Sequence, residues 1–195
     1  MLFILDNGHG IETPGKRSPI WEDGSQLLEW KFTRNIVKGI ANRLTALGID
    51  NVILVPEDQD ISLQERCRRV NAIYKDRPDS VLISVHANAG GGTGFECFTS
   101  KGATKSDLYA SVLYNKASQY LKGWKIRTDA TDGDLDKEED FYILKYTHCP
   151  AVLTENLFMD NKKDCLFLMS KEGQLCIINM HVAAIIEINN LYGKS

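Results

Sequence analysis

Residues 80–86 read Ser-Val-Leu-Ile-Ser-Val-His, an apolar run with no regular polar alternation. A strand exposed on one face alternates with period two, whereas one covered on both faces does not. Sheets covered on both faces are typically parallel, with helices as crossovers. The run therefore predicts a central strand of an α/β sheet, and it delivers His86 to the strand's C-terminal end.

The rest of the chain keeps the same rhythm. Leu2 to Asp6 is a short apolar run that meets Asn7-Gly8-His9-Gly10, a buried strand entering a Gly-rich turn, so His9 sits just past a strand end. Leu28, Phe32, Ile36, Ile40, Leu44 and Leu47 recur at helical spacing with Gly48 behind them. This predicts a helix over about 26–47 with Glu29 in its first turn. Asn51 to Val55 is a second strand stopped by Pro56, and Ser62-Leu63-Gln64-Glu65 has the capping-box spacing that opens a helix to about Tyr74. Past Gly90-Gly91-Gly92 come a short strand near Gly94–Phe98 and a helix over about 104–121. Phe141–Lys145 and Pro150–Glu155 are predicted as the last strands, and Gln174–Leu191 as a closing helix. The polar stretch Asp129–Asp140 is predicted as an exposed loop.

These elements describe one α/β domain over 1–195, a twisted, mostly parallel sheet of about six strands with helices on both faces. The 195 residues, 43 % of them hydrophobic, are enough for one buried core and too few for two comfortable domains. A formal net charge of −3 and the lack of a basic run interleaved with aromatics argue against nucleic acid as a partner. Met1–Asp6 has no basic n-region, and its apolar run is too short for a signal-peptide core or a bilayer span. As written, the chain is expected in the cytoplasm without membrane insertion. Its five cysteines show no Cys-x-x-Cys spacing, so reduced, buried thiols are expected rather than disulfides or a thiolate metal knot.

Open α/β sheets place their sites beyond the C-terminal strand ends, where His9, His86 and Glu155 are expected to gather. Two neutral imidazoles and one carboxylate, with a fourth position left to water, form the ligand set of a catalytic zinc ion. Glu29, at a helix start facing that edge, can supply the carboxylate, with Glu22 as a rival. Glu155 can then serve as the general base toward water. Each residue also has a plainer explanation. A His after a strand is commonly satisfied by backbone, a Glu in a first helical turn is favoured by the helix dipole, and Glu155 could cap the next turn.

Taken in order, Asp6-Asn7-Gly8-His9-Gly10, Leu28-Glu29-Trp30, Ser84-Val85-His86-Ala87-Asn88 and Pro150-Ala151-Val152-Leu153-Thr154-Glu155-Asn156-Leu157-Phe158 resemble the signature of the zinc-dependent N-acetylmuramoyl-L-alanine amidases. Leu63-Gln64-Glu65-Arg66 with Asn71, and Tyr142-Ile143-Leu144-Lys145, are similar to connecting pieces of that family. Ile11 stands where the family usually has a second Gly after His-Gly. The resemblance implies His9, Glu29 and His86 as Zn2+ ligands and Glu155 as catalytic residue. Asn88 matches a family Asn that either orients the turn or touches substrate. The implied reaction is hydrolysis of the peptidoglycan amide between N-acetylmuramic acid and L-alanine, by a monomer acting at the cell wall or periplasm. Two other functions remain open at this point: another zinc amidohydrolase or peptidase, and a non-catalytic peptidoglycan-binding module.

Overall fold

The computed structural model describes residues 1–131 and 133–193; Asp132, within the polar 129–140 stretch, and residues 194–195 lie outside the described residues. Six strands, β1 Leu2–Asn7, β2 Asn51–Ile53, β3 Ser80–Asn88, β4 Phe95–Thr99, β5 Lys137–Glu138 and β6 Ala151–Phe158, form one sheet in the order β2-β1-β3-β6-β4-β5. The helices are α1 Glu29–Ala46, α2 Leu63–Asp76, α3 Lys105–Tyr120, α4 Tyr142–Lys145, α5 Lys162–Met169 and α6 Lys171–Tyr192. β1 is parallel to β2 and β3, and β3 to β6, whereas β4 runs antiparallel to β6.

Alternation along the central strands divides the core between the two faces. Phe3, Leu5, Val81, Ile83, Val85 and Val152 pack with Ile36, Ile40, Leu113, Ile177 and Ile185 from α1, α3 and α6. Ile4, Leu82 and Leu153 turn the other way, onto Cys67 and Val70 of α2 and Ile143 and Leu144 of α4. Each fully buried aliphatic side chain contributes about 1.5–3 kcal/mol relative to exposure, so a one-residue register slip would invert both layers. By length and composition α6 could cross a membrane. Here Ile177, Met180, Ala184, Ile185 and Ile188 are buried, and the helix packs on α1 and α3.

Two local expectations are corrected. Residues 142–145 form α4 rather than a strand, with Leu144 N and Lys145 N donating to the Phe141 carbonyl at 3.0 and 2.9 Å. A short apolar run carries no period that separates helix from strand, and the helical turn sends Ile143 and Leu144 into the core together. The sixth strand comes instead from the stretch expected as an exposed loop, where Lys137 and Glu138 pair with Phe98 and Thr99. Asp136, beside them, is only 1 % exposed. The α5 helix had no clear sequence signal. Asn161 caps it, and its Asp164 carboxylate accepts from Thr93 Oγ1, Gly94 N and Phe158 N at 2.8, 3.0 and 3.1 Å.

Candidate metal centre

In a parallel strand–helix unit the helix runs back along the sheet, so its N-terminus lies at the carboxyl edge of the strands. The first residue of α1 is Glu29, which thus meets the turn after β1. Within β3, His86 shares the face of Leu82 and Ser84; within β6, Glu155 shares that of Leu153. The register pairs His86 with Glu155 directly.

Three groups converge at this edge. Glu29 Oε1 lies 3.3 Å from His9 Nε2 and 3.2 Å from His86 Nδ1, and it accepts from Ala87 N at 3.2 Å. The two imidazole rings meet edge to face, with centroids 4.9 Å apart. One ligand atom from each of the three residues lies within 4.8 Å of the others. Glu22, the rival carboxylate, is a surface residue 3.3 Å from Lys162, its side chain 92 % exposed.

The surroundings hold this cluster in place. His9 has φ 66°, in the left-handed region that costs a non-glycine residue energy. Its carbonyl accepts from Arg34 Nη1 and Arg66 Nη2, both at 3.0 Å, and these charge-assisted bonds offset that cost. Arg66, 2 % exposed, also pairs with Asp6 and donates to Asn7 O at 2.8 Å. Asp6 in turn accepts from Ser84 Oγ at 2.6 Å. Thr33 Oγ1 donates to Gly8 O at 2.9 Å. A Cβ on Gly8 would fall 2.1 Å from the His86 ring, so only glycine allows this approach. The His86 carbonyl accepts from Asn156 Nδ2 at 2.9 Å, beside an irregularity in the β3–β6 ladder where Leu157 takes φ 63°.

Burial raises the Glu29 pKa, but the hydrogen bond to His86 and the close approach of His9 outweigh it and hold the carboxyl well below the usual range. Burial also pulls down the His9 pKa, against the opposing influence of Glu29. For His86 the balance reverses: burial lowers it, but Glu29 raises it above the ordinary value. Among the described residues, His9 Nε2 and Glu29 Oε2 are buried and lack hydrogen-bond partners. Buried polar atoms left unsatisfied are costly, and here they line a two-nitrogen, one-carboxylate donor set of the kind zinc takes. The residues fit such an ion.

Glu155 has a different environment. Its Oε2 is buried without a partner among the described residues, and burial pushes its carboxyl up to about 7, with Glu29 adding to the shift and His86 opposing it. Two cavities flank the cluster. One, of about 230 Å³, is bounded by Thr13, Asp60, Leu63, Arg66 and Ile143. The other, of about 260 Å³, is bounded by Lys16, Phe141, Tyr142, Leu153 and Glu155. Asn88 does not join the cluster by any hydrogen bond: its amide nitrogen donates to Glu96, and its Oδ1 accepts from Ala89 N at 2.8 Å. Sequence reasoning missed Lys16 and the Glu96–Arg127–Lys137 ion pairs next to Asn88. It met Asn156 and Arg66 only as parts of motifs.

The single mostly parallel six-stranded sheet with its helices is the fold of cell-wall amidase structures. The crystal structure of the N-acetylmuramoyl-L-alanine amidase from Clostridium difficile 630 matches with a TM-score of 0.84 at 25 % identity, covering 98 % of each chain. The family model for N-acetylmuramoyl-L-alanine amidase matches residues 3–187, and the chain belongs to that family. The endolysin of Bacillus phage SPP1 is 32 % identical over all of this chain and 68 % of its own length. The sporulation-specific N-acetylmuramoyl-L-alanine amidase of Bacillus subtilis (strain 168) is 29 % identical over 83 % of this chain, which spans 58 % of that protein.

Proposed function

We propose that this chain hydrolyses the amide between the lactyl group of N-acetylmuramic acid and L-alanine in peptidoglycan, with zinc held by His9, Glu29 and His86. The observation that carries the reading is the convergence of those three ligand atoms at the edge where Glu155 stands opposite His86. Zinc, when bound, supplies a Lewis acid that acidifies water and polarises the scissile carbonyl.

The chain's own residues account for the proton transfers and the positioning. Glu155 accepts a proton from the attacking water as oxygen adds to the lactyl carbonyl carbon, then passes it to the alanine nitrogen as the C–N bond breaks. The products are a lactyl carboxylate and a free L-alanine amine. Without the ion, burial holds the Glu155 carboxyl up at about 7; a dication beside it would draw it down toward the ionised form that a base requires. Arg66 and Arg34 hold the His9 loop and Asn156 holds the His86 backbone, which fixes the main chain that carries both imidazoles. The hydrogen bonds of Asn88 favour a turn-orienting role over substrate contact. The substrate sets the place of action at the cell wall, and we infer a monomer in which one chain carries the whole site.

The test is a digest of purified muropeptides. This reading predicts free stem peptides with an L-alanine amino terminus, loss of the reaction on chelation and recovery with zinc. Cleavage of another bond would support a different zinc amidohydrolase, and binding without cleavage a wall-binding module.

A further inference from the structure

A second group of acidic side chains lies away from the His9 cluster. Asp107 on α3 and Asp134 and Asp136 in the loop before β5 bring one carboxylate oxygen each to within 4.8 Å of one another. Asp136 is 1 % exposed. Its Oδ2 accepts from Thr99 Oγ1 at 2.6 Å, while its Oδ1 is buried without a hydrogen-bond partner among the described residues. Asp107 accepts from Thr104 N at 2.6 Å in the capping box of α3, and Asp134 Oδ1 accepts from Asp136 N at 3.2 Å. Lys137 pairs with Glu96, and Lys101 with Asp140 at 2.8 Å.

Three carboxylates so close together repel one another unless a cation or proton intervenes. Burial, and then the approach of Asp134, pushes the Asp136 carboxyl up to about 7, the response of a buried acid lacking a positive partner. The donors are all oxygen, which selects a hard cation over zinc. Two of them, Asp134 and Asp136, follow a turn at Gly133, with φ 112°, while Asp107 is fixed in the first turn of α3. Such a site suits calcium, which accepts six to eight oxygens in flexible geometry, better than magnesium, which requires near-ideal octahedral geometry.

We infer that Asp107, Asp134 and Asp136 form a structural site for a calcium-sized divalent cation, which ties the loop before β5 to the N-terminus of α3. The bound ion would brace the outer edge of the sheet: Asp136 joins β4 through Thr99, and β5 carries Lys137 to Glu96, the partner of Asn88. The site is separate from the zinc cluster, so its success or failure does not depend on the amidase reading.

The experiment uses the zinc-loaded full chain, titrated with calcium chloride by calorimetry and melted with and without millimolar calcium. The expected result is one calcium per chain, a rise in Tm, and at least a tenfold loss of calcium affinity in Asp134→Asn with zinc content unchanged. Asp136→Asn, which keeps an acceptor for Thr99, should lose calcium binding as well. Absence of heat and of a Tm shift in the wild type would overturn the inference. So would an undiminished calcium response in Asp134→Asn. If the carboxylates only share a proton, Asp134→Asn raises the Tm and calcium has no effect on either protein, which also overturns it.

Discussion

Glu155 on β6 pairs across the sheet with His86 on β3, so a backbone ladder sets the distance between the proposed base and one proposed zinc ligand. Strand registers are rigid on the scale of catalytic geometry because slipping one would turn a buried face outward. The two side chains therefore stand ready at the same edge, and the flanking cavities supply the room for substrate.

Gly8 tests how closely packed the ligand shell is. A methyl group there would fall 2.1 Å from the His86 ring, which must move to admit it. Gly8→Ala is expected to keep the fold and to weaken zinc binding by about 10–100-fold, the range seen when the support of a ligand is disturbed. Competition with a chromophoric chelator measures it; unchanged affinity would show that the ring's position is not critical.

Zinc binding should be acid-sensitive, and His86 decides where. Ligation needs neutral imidazoles. Glu29 stays ionised throughout, with its pKa held low, and His9 loses its proton early, with its pKa also lowered. The His86 pKa is raised above 6.5, so its proton is the one zinc must displace. Affinity should be full above that raised value and fall about tenfold per pH unit below it, with one proton released per zinc just beneath it. Titration calorimetry in buffers of different ionisation enthalpy reads both; affinity that does not change between pH 5.5 and 7.5 would contradict the assignment.

Arg66 holds the His9 loop from inside the protein. Removing one partner of a buried ion pair leaves an uncompensated charge, at a cost of about 3–5 kcal/mol. In Arg66→Ala that charge is Asp6, and the carbonyls of Asn7 and His9 lose a donor as well. For a chain of this size the Tm should fall on the order of 10 °C. A thermal melt of the metal-free protein is the check, and a shift under two degrees would mean the site relaxes around the loss.

Much of this site was legible because strand ends can be read locally. His9 and His86 each follow an apolar run, and the sheet's topology brings such ends together wherever the intervening loops lie. Glu29 is favoured over Glu22 in sequence because it opens the periodic helix, and the structure adds its contacts with both imidazoles, while Glu22 faces solvent beside Lys162. The Arg66 clamp on His9 spans 57 positions, and the Asn156 bond to His86 spans 70; neither leaves a periodic trace. The run at 141–145 fits strand and helix equally, and Asp136 lies in a stretch whose composition is that of a surface loop. In both cases tertiary packing decides.

The most direct test of the central claim is Glu155→Gln, assayed together for bound zinc and for release of L-alanine-terminated stem peptides. The substitution keeps the shape of the side chain and removes its capacity to take a proton. The account predicts wild-type zinc content, by inductively coupled plasma mass spectrometry, and a turnover reduced by about 10²–10⁴-fold. Near-normal cleavage by a zinc-loaded Glu155→Gln protein would contradict the role of Glu155 as base, and loss of zinc along with activity would make it a ligand instead.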